Sequence, residues 1–416
     1  MRIIVVTLLL TAGATAGIAA QQATTAPPPR QETDVPQGFL PEPAIVGRAV
    51  DLGSRVFGGG TSSKDGLYPD FGDMVTGAGW ISGGPGYRRH FFDRHLLVDG
   101  SAAISWRAYK DAQARIELPD LANDHLTLGF QVKWQDLTQV NYFGIGPSSI
   151  ESQQSEYRLR ETDVAGYGII RPNHWLSVAG RFGWIKQPRI SSSVGPFDQN
   201  YPETSLEFPS DPGIAEQTAL LHGGGAVQAD TRDYPSRPTR GGFYRVAAQA
   251  FADRELQQFS FRRYEAEGLQ ILPVLGDRWV IAVHGWSVFS DTSTGNSVPF
   301  YMLPSLGGGN TLRGYDDYRF HDRNMLVVNV ESRWALLSHI DLALFGDAGN
   351  VAARASDLNT DKTSYGGGFR VHDRTSTLAL FDIARSREGW QVLFRLSDPF
   401  RLARRSLRAS VIPFVP

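Results

Sequence analysis

Hydrophobic and polar residues alternate along most of the chain after about residue 70. In one stretch, Leu326, Val328 and Val330 fall on one face, whereas Asn329 and Glu331 fall on the other. A period of two residues indicates a β-strand, because successive side chains of a strand point to opposite faces. About fourteen such segments are predicted, at 74–90, 96–117, 125–145, 155–171, 174–190, 218–232, 241–254, 257–272, 278–291, 324–337, 339–351, 364–373, 376–386 and 389–399.

A sheet with one apolar and one polar face fits two all-β architectures, a soluble β-sandwich and a transmembrane barrel. The connections favour the barrel, because tight turns such as 171–173 alternate with long polar loops such as 191–217 and 291–324. A sheet in hydrocarbon has to close on itself to pair every backbone amide. We therefore predict a transmembrane antiparallel β-barrel of about 14–16 strands. Tryptophans near the segment ends are interpreted as interfacial belts: Trp175, Trp184, Trp279, Trp286, Trp334 and Trp390.

The first residues are typical of a secretory signal peptide, predicted over 1–20. Arg2 carries a positive charge, an apolar stretch follows it, and small residues end it at Ala20. A Pro-rich linker is predicted over 21–70. Within the linker, 44–57 contains no proline, and its apolar spacing fits either a short amphipathic helix at the periplasmic mouth or an irregular first strand.

The rest of the chain is divided into a barrel, 71–400, and a basic C-terminal tail, 401–416. The tail is interpreted as a solvated periplasmic segment rather than a binding segment for a partner. The N-terminal signal peptide and the barrel pattern together predict the bacterial outer membrane as the location of the protein.

Composition and charge exclude several classes of function. Lys and Arg total 41 and Asp and Glu total 43, so the chain lacks the basic surplus of a nucleic-acid-binding protein. The absence of cysteine excludes disulfides, thiolate metal sites and a catalytic thiol. The nine histidines form no zinc-binding motif, and no Gly-x-Ser-x-Gly elbow occurs. We therefore expect no metal, no cofactor and no enzymatic activity.

The long loop before the last five segments carries a distinctive motif at its end, in which Arg313 is preceded by Gly307–Gly309. Glycines permit close backbone approach, and the planar guanidinium of arginine suits a buried carboxylate. These features predict a loop that folds back into the lumen. The motif residues are Leu312, Arg313, Gly314 and Tyr315.

Two further motifs accompany the loop. On a later segment, alternation places Phe345, Asp347 and Gly349 on the lumen face. Earlier in the chain, prolines and glycines predict a tight turn between two strands. The residues singled out in that turn are Asp230, Arg232, Pro238, Gly241 and Tyr244.

Taken in order, these motifs resemble those of the Omp85 superfamily, also called bacterial surface antigen D15. Residues 312–315 are similar to its Val/Ile-Arg-Gly-Phe/Tyr loop signature, and 345–349 match its Phe-x-Asp-x-Gly wall motif. The turn at 230–244 is similar to a third family motif. The resemblance covers about 218–400 and implies a sixteen-stranded barrel. It also implies that Arg313 pairs with Asp347 in the lumen, with Glu331 as a nearby carboxylate.

The resemblance implies a part in outer-membrane protein assembly, or in protein translocation through a lateral seam. The implied partners are outer-membrane lipid, unfolded outer-membrane protein clients and a separate periplasmic partner, because no POTRA domain fits the Pro-rich linker. Two alternatives stay open, a passive channel and a factor for lipid export or membrane remodelling. The pair of Arg313 and Asp347 fits a structural role as well as one in gating or assembly.

Overall fold

The computed structural model describes residues 38–57, 65–72, 82–195 and 201–396. The predicted signal peptide and the basic tail lie outside the described residues, as does part of the linker. In the described part, one sheet contains sixteen antiparallel strands, and each strand pairs with its sheet neighbours in chain order. A separate pair, β12 and β13, lies in the long loop.

In chain order, the elements are α1 (Ala44–Phe57), β1 (Gly66–Gly72), β2 (Ser82–Phe91), β3 (Leu96–Ser105), β4 (Lys110–Leu121), β5 (Leu126–Tyr142), β6 (Ser155–Ile170), β7 (Leu176–Ser192), α2 (Thr204–Glu207), β8 (Leu220–Asp230), β9 (Gly241–Asp253), β10 (Phe261–Pro273), β11 (Trp279–Thr292), β12 (Ser305–Leu306), β13 (Phe320–His321), β14 (Asn324–Ala335), β15 (Ile340–Ala352), β16 (Lys362–His372), β17 (Thr377–Ser386) and β18 (Gly389–Arg395). Short 3₁₀ turns occur at Glu151–Gln153, Phe300–Met302 and Ala355–Asp357.

The predicted all-β class and the upper strand number are confirmed. Fourteen segments became sixteen strands for two reasons. The predicted segment 96–117 covers β3 and most of β4, because the chain reverses at a short turn in which Ala108 has a φ of +61°. Strand β1 begins in the predicted linker, which ends at residue 70. It contains Pro69 and has a glycine at each end, Gly66 and Gly72, which hides its alternation. The open question at 44–57 is settled as a helix, α1.

The burial pattern is the reverse of that in a soluble sheet. In β14, Val328 and Val330 are 37% and 44% exposed, whereas Asn329, Glu331 and Arg333 are buried. Apolar side chains therefore point outward and charged side chains point inward, as in a barrel with a lipid-facing exterior. The tryptophan assignment was wrong for one residue, because Trp286 is buried in a cluster with the loop.

The sheet curves around the long loop, residues 293–323. The loop contacts the connection between β5 and β6, where the amide of Gly146 donates to the carbonyl of His321 at 2.7 Å. In the middle of the sheet, Arg263 of β10 donates to the carbonyl of Met302. Strands from distant parts of the sheet thus contact one loop, which occupies the lumen as predicted. The apolar side of the loop packs into a buried cluster of Trp286, Val288, Leu306, Leu312, Tyr315, Phe320, Met325, Val327 and Val351.

The connections differ at the two ends of the barrel. The loop 293–323 lies at the end with long connections, whereas short turns join the strands at the other end, which is the periplasmic end in such barrels. There the turn 231–240 reaches across the mouth, since the carbonyl of Pro238 accepts from Arg333 of β14 at 2.9 Å. Of the helices described, none is long and apolar enough to cross a membrane.

Candidate functional site in the barrel lumen

The structure brings Arg313 and Asp347 into direct contact. Arg313 Nη2 lies 2.7 Å from Asp347 Oδ1, and its Nε lies 3.1 Å from Oδ2. The backbone amide of Arg313 also donates to Oδ2, at 3.1 Å. The carboxylate therefore binds both the side chain and the main chain of the loop. Both residues are buried, so this charge-assisted pair is shielded from solvent.

Glu331 forms the second contact of Arg313, with Oε2 2.7 Å from Nη1. The same oxygen accepts from Arg370 Nη2 at 2.8 Å, and Arg370 Nη1 donates to Asp382 at 2.5 Å. Three carboxylates and two guanidinium groups thus form one buried network. Burial by itself lowers the pKa of Arg313, but the charges of Asp347 and Glu331 raise it above the ordinary value. The loop arginine therefore remains a cation.

Sequence reasoning missed Arg370 and Asp382. The available signal was the alternation of β16 and β17, which places both residues on the same face as the buried positions around them. Alternation assigns a side chain to a face of the sheet but not to a position along the barrel axis. It therefore could not predict that Arg370 and Asp382 lie near Arg313.

Neutral groups extend the network to further strands. Asn329 donates to Asp347 Oδ1 at 2.8 Å and to the loop carbonyl of Thr311 at 2.7 Å. Ser364 of β16 donates to Asp347 Oδ2 at 2.9 Å. His284 of β11 lies 2.9 Å from the Asn329 side chain. Strands β11 and β14–β17 are therefore connected through polar contacts that meet at the loop.

The predicted wall residue Phe345 also contacts the loop arginine. Its ring centroid lies 3.4 Å from Arg313 Cζ, which is a cation–π arrangement. Gly349 lies two residues after Asp347 on β15, where an added Cβ would lie 2.5 Å from the carbonyl oxygen of Leu326. The wall motif thus combines a carboxylate, an aromatic face and a position without space for a side chain.

The other loop residues make apolar or backbone contacts. Leu312 and Tyr315 are buried in the cluster with Trp286. Gly314 packs against β16 and β17, because a Cβ there would lie 2.7 Å from Ser364 Cβ and 2.8 Å from the carbonyl carbon of Arg385. The loop motif therefore places one cation, two apolar side chains and one closely packed glycine against the wall.

We expect Gly314→Ala to displace the loop from the wall and to destabilise the barrel by about 1–3 kcal/mol, the usual cost of overpacking. Gly346→Ala is the matched control, since nothing lies within 4 Å of the Cβ that it adds on β15. Urea denaturation of the barrel, followed by tryptophan fluorescence, measures both effects. Equal stabilities of the two variants would contradict close packing at Gly314.

The turn motif lies at the periplasmic mouth rather than at Arg313. Asp230 forms a bidentate pair with Arg232, at 2.8 and 2.7 Å. Gly241 has a φ of +87°, and a Cβ there would lie 2.2 Å from the carbonyl of Thr231. Tyr244 faces outward and donates to Gln270. These contacts stabilise the turn that carries Pro238 across the mouth.

The turn and the loop are connected by one arginine. Arg333 donates to the carbonyl of Pro238 at 2.9 Å, and its Nε lies 3.9 Å from Glu331 Oε1. Since Glu331 also binds Arg313, charged contacts run from the periplasmic turn to the loop. Sequence reasoning missed this connection because Arg333 belongs to no motif.

A second group of loop contacts holds the last hairpin. Arg319 Nε donates to Glu388 at 2.9 Å, in the turn between β17 and β18. Gln391 of β18 donates to Asp316 at 2.7 Å. Arg395, at the end of β18, donates to Asn310. The loop therefore contacts β18 at two positions and the turn before it at a third.

The loop also contains a buried histidine, His321. Burial, together with the nearby charge of Arg319, lowers its pKa to about 3, so the ring is neutral. In the part of the chain that the structure describes, no group of three or more His, Asp or Glu residues could hold a metal ion.

These motifs, with the sixteen-stranded sheet and the buried Arg313 pair, agree with the comparison to protein families. A family model of the Omp85 superfamily domain matches residues 100–407. The chain belongs to the Omp85 superfamily. It is a β-barrel protein of the bacterial outer membrane, in a family of outer-membrane protein assembly and translocation.

Among the solved structures compared with this chain, that of a BamA protein shares its fold. BamA from Haemophilus ducreyi lacking POTRA domains 1–3 superposes with a TM-score of 0.61 at 15% identity, covering 80% of this chain and 69% of that chain. CdiB from Acinetobacter baumannii gives a TM-score of 0.47 at 14% identity, covering 79% and 58%. CdiB from Escherichia coli gives 0.49 at 14% identity, covering 81% and 63%. No curated protein matches the chain.

Proposed function

We propose that this Omp85 protein assembles or translocates outer-membrane proteins through a lateral seam between β1 and β18. The observation that carries the proposal is the pairing of these two strands. Each has only seven residues, and within the described ranges β1 pairs with β2 alone and β18 with β17 alone. Strand edges with unpaired backbone groups accept an added strand from a client by β-augmentation.

The loop supports a seam that opens without collapse of the barrel. Its contacts with Glu388, Gln391 and Arg395 hold the last hairpin from inside. The Arg313 network meanwhile connects the loop to β14–β17. The loop therefore connects β18 to strands β14–β17. A client strand can pair at the seam while this side of the barrel keeps its shape.

The filled lumen disfavours a passive channel. The loop buries apolar residues and the Arg313 network in the space that a channel would keep open. A periplasmic partner that delivers unfolded clients belongs to the same proposal, since the seam strands end near the short-turn mouth. No observation specifically favours lipid export.

Site-specific photocrosslinking tests the proposal. A photoreactive residue replaces Val392 of β18 or Leu67 of β1, which are 59% and 82% exposed. Val246 of β9 is the matched control, at 56% exposure and far from the seam. The probe is a pulse-labelled small outer-membrane barrel protein made in the same cells. We expect crosslinks to this probe from Val392 or Leu67 and none from Val246.

Equal crosslinking from the seam and control positions would contradict a lateral route, and so would no crosslinking from either seam position. Abundant outer-membrane lipid contacts all three positions, so the comparison rests on the crosslinked protein alone.

A further inference from the structure

The segment 38–57 forms what is here called the strap, at the periplasmic mouth. Its first residues extend the turn between β14 and β15 by main-chain pairing. The amides of Phe39 and Leu40 donate to the carbonyls of Ala335 and Leu336, at 2.8 and 3.0 Å. Two consecutive backbone hydrogen bonds give this part of the strap a defined register against the barrel.

Side chains fix the same part of the strap. Glu42 accepts from the backbone amide and from Nδ1 of His339, each at 2.7 Å. Gly38 lies so close to the turn that a Cβ would approach the carbonyl carbon of Leu337 to 2.4 Å. The strap therefore begins in a closely fitting seat that combines backbone pairing, two hydrogen bonds to the Glu42 carboxylate and a position without space for a side chain.

From this seat the strap reaches the strands on both sides of the seam. Helix α1 contacts β17 on one side and β1 on the other. Val50 is buried, and the Cβ position at Gly53 lies 3.7 Å from Leu378 Cδ1 of β17. In the described residues the ladder from β17 to β18 begins at Leu380, opposite Arg395. Helix α1 thus packs against the start of β17, before its described pairing with β18 begins, and it connects β17 to β1.

We propose that the strap holds the periplasmic end of the seam closed and has to leave its seat before β1 and β18 separate. The inference rests on the proposed function, since it concerns the same seam. Helix α1 touches both β1 and β17, so its release removes a connection between them that no strand ladder among the described residues replaces. The seat at Glu42 and His339 lies on the turn between β14 and β15, at the periplasmic mouth, where we expect a periplasmic partner to act on it.

The distance across the seam tests the strap without any client. The chain contains no cysteine, so Leu67→Cys with Val392→Cys gives one spin-labelled pair on β1 and β18. Pulsed electron paramagnetic resonance measures the distance between the two labels in detergent micelles. We compare the native strap with the Glu42→Gln and Gly38→Val variants. Both variants should shift part of the distance distribution by about one strand spacing, ~4.8 Å, because space for one added strand opens.

Two controls accompany this measurement. Arg48→Gln changes an exposed charge on the same helix and should leave the seam distance unchanged. A second pair, Val246→Cys with Tyr264→Cys on β9 and β10, should not move in any variant. Heat-modifiable migration on gels shows that each barrel is folded.

An unchanged seam distance in the folded Glu42→Gln variant would overturn the strap, and this nearly isosteric change decides the matter if Gly38→Val does not fold. The outcome is separable from the proposed function. A seam that widens in Glu42→Gln while Val392 never crosslinks to the probe protein supports the strap and contradicts client passage.

Discussion

Replacing Arg313 by alanine is expected to destabilise the folded barrel by about 3–5 kcal/mol, the usual cost of removing one partner from a buried ion pair. Asp347, Glu331 and Asp382 then face one another without the cation that lies within 4 Å of each, at 2.7, 2.7 and 3.9 Å. Arg313→Lys is the conservative control. It keeps the charge but cannot bind two carboxylates through a planar fork, so we expect an intermediate loss.

A double-mutant cycle tests the contact itself. Asp347→Ala should reduce the free energy of unfolding less than Arg313→Ala does, because Arg313 keeps its contact with Glu331. The loss is still appreciable, since Asn329 and Ser364 lose an acceptor. The double variant should be much more stable than the sum of the single losses implies, with a coupling energy of about 0.5–3 kcal/mol. Urea titrations read by heat-modifiable gel migration measure all four proteins. Strictly additive losses would exclude direct contact.

Removing the luminal loop is expected to convert a nearly closed barrel into an open pore. With 305–321 replaced by a short Gly-Ser linker, the lumen loses Leu312, Tyr315 and Phe320, which are buried in it. Planar-bilayer recordings should show small, flickering currents for the native protein and large, steady currents for the variant. The currents should favour cations modestly, because once Arg313 is gone the wall keeps three carboxylates beside two cations, Arg370 and Arg333.

The matched control shortens 353–361, the exposed loop between β15 and β16 at the same end of the barrel. It should leave the native currents unchanged. Large, steady currents from the native protein would instead favour the passive channel and contradict a plugged lumen.

Much of the fold could be predicted because the period of a strand is two residues and needs no knowledge of its neighbours. Alternation alone placed Glu331 and Asp347 on the inner face. It failed where composition obscures it, as in β1, where Pro69 lies between glycines. It also failed at the turn between β3 and β4, since a continuous alternating stretch does not reveal a reversal.

The candidate site depended on pairing that a single sequence does not specify. The contact of Arg313 with Asp347 was implied by resemblance, but its other partners follow from register. Asp347 lies opposite Asn329 on β14 and Ser364 on β16. These alignments determine which inward groups meet. Trp286 was misassigned because only its position near a strand end was considered. It lies two residues after the buried His284, so the period of the strand places it on the same inner face.

The arginine between the periplasmic turn and the loop has a mechanical consequence. Arg333 is held by the carbonyl of Pro238 and lies 3.9 Å from Glu331. We therefore expect a partner that displaces the turn to change the electrostatic surroundings of Arg313 in the lumen. If this coupling holds, thermodynamic reciprocity requires that a displacement of the loop also alters how tightly the periplasmic end of the barrel binds a partner at that turn.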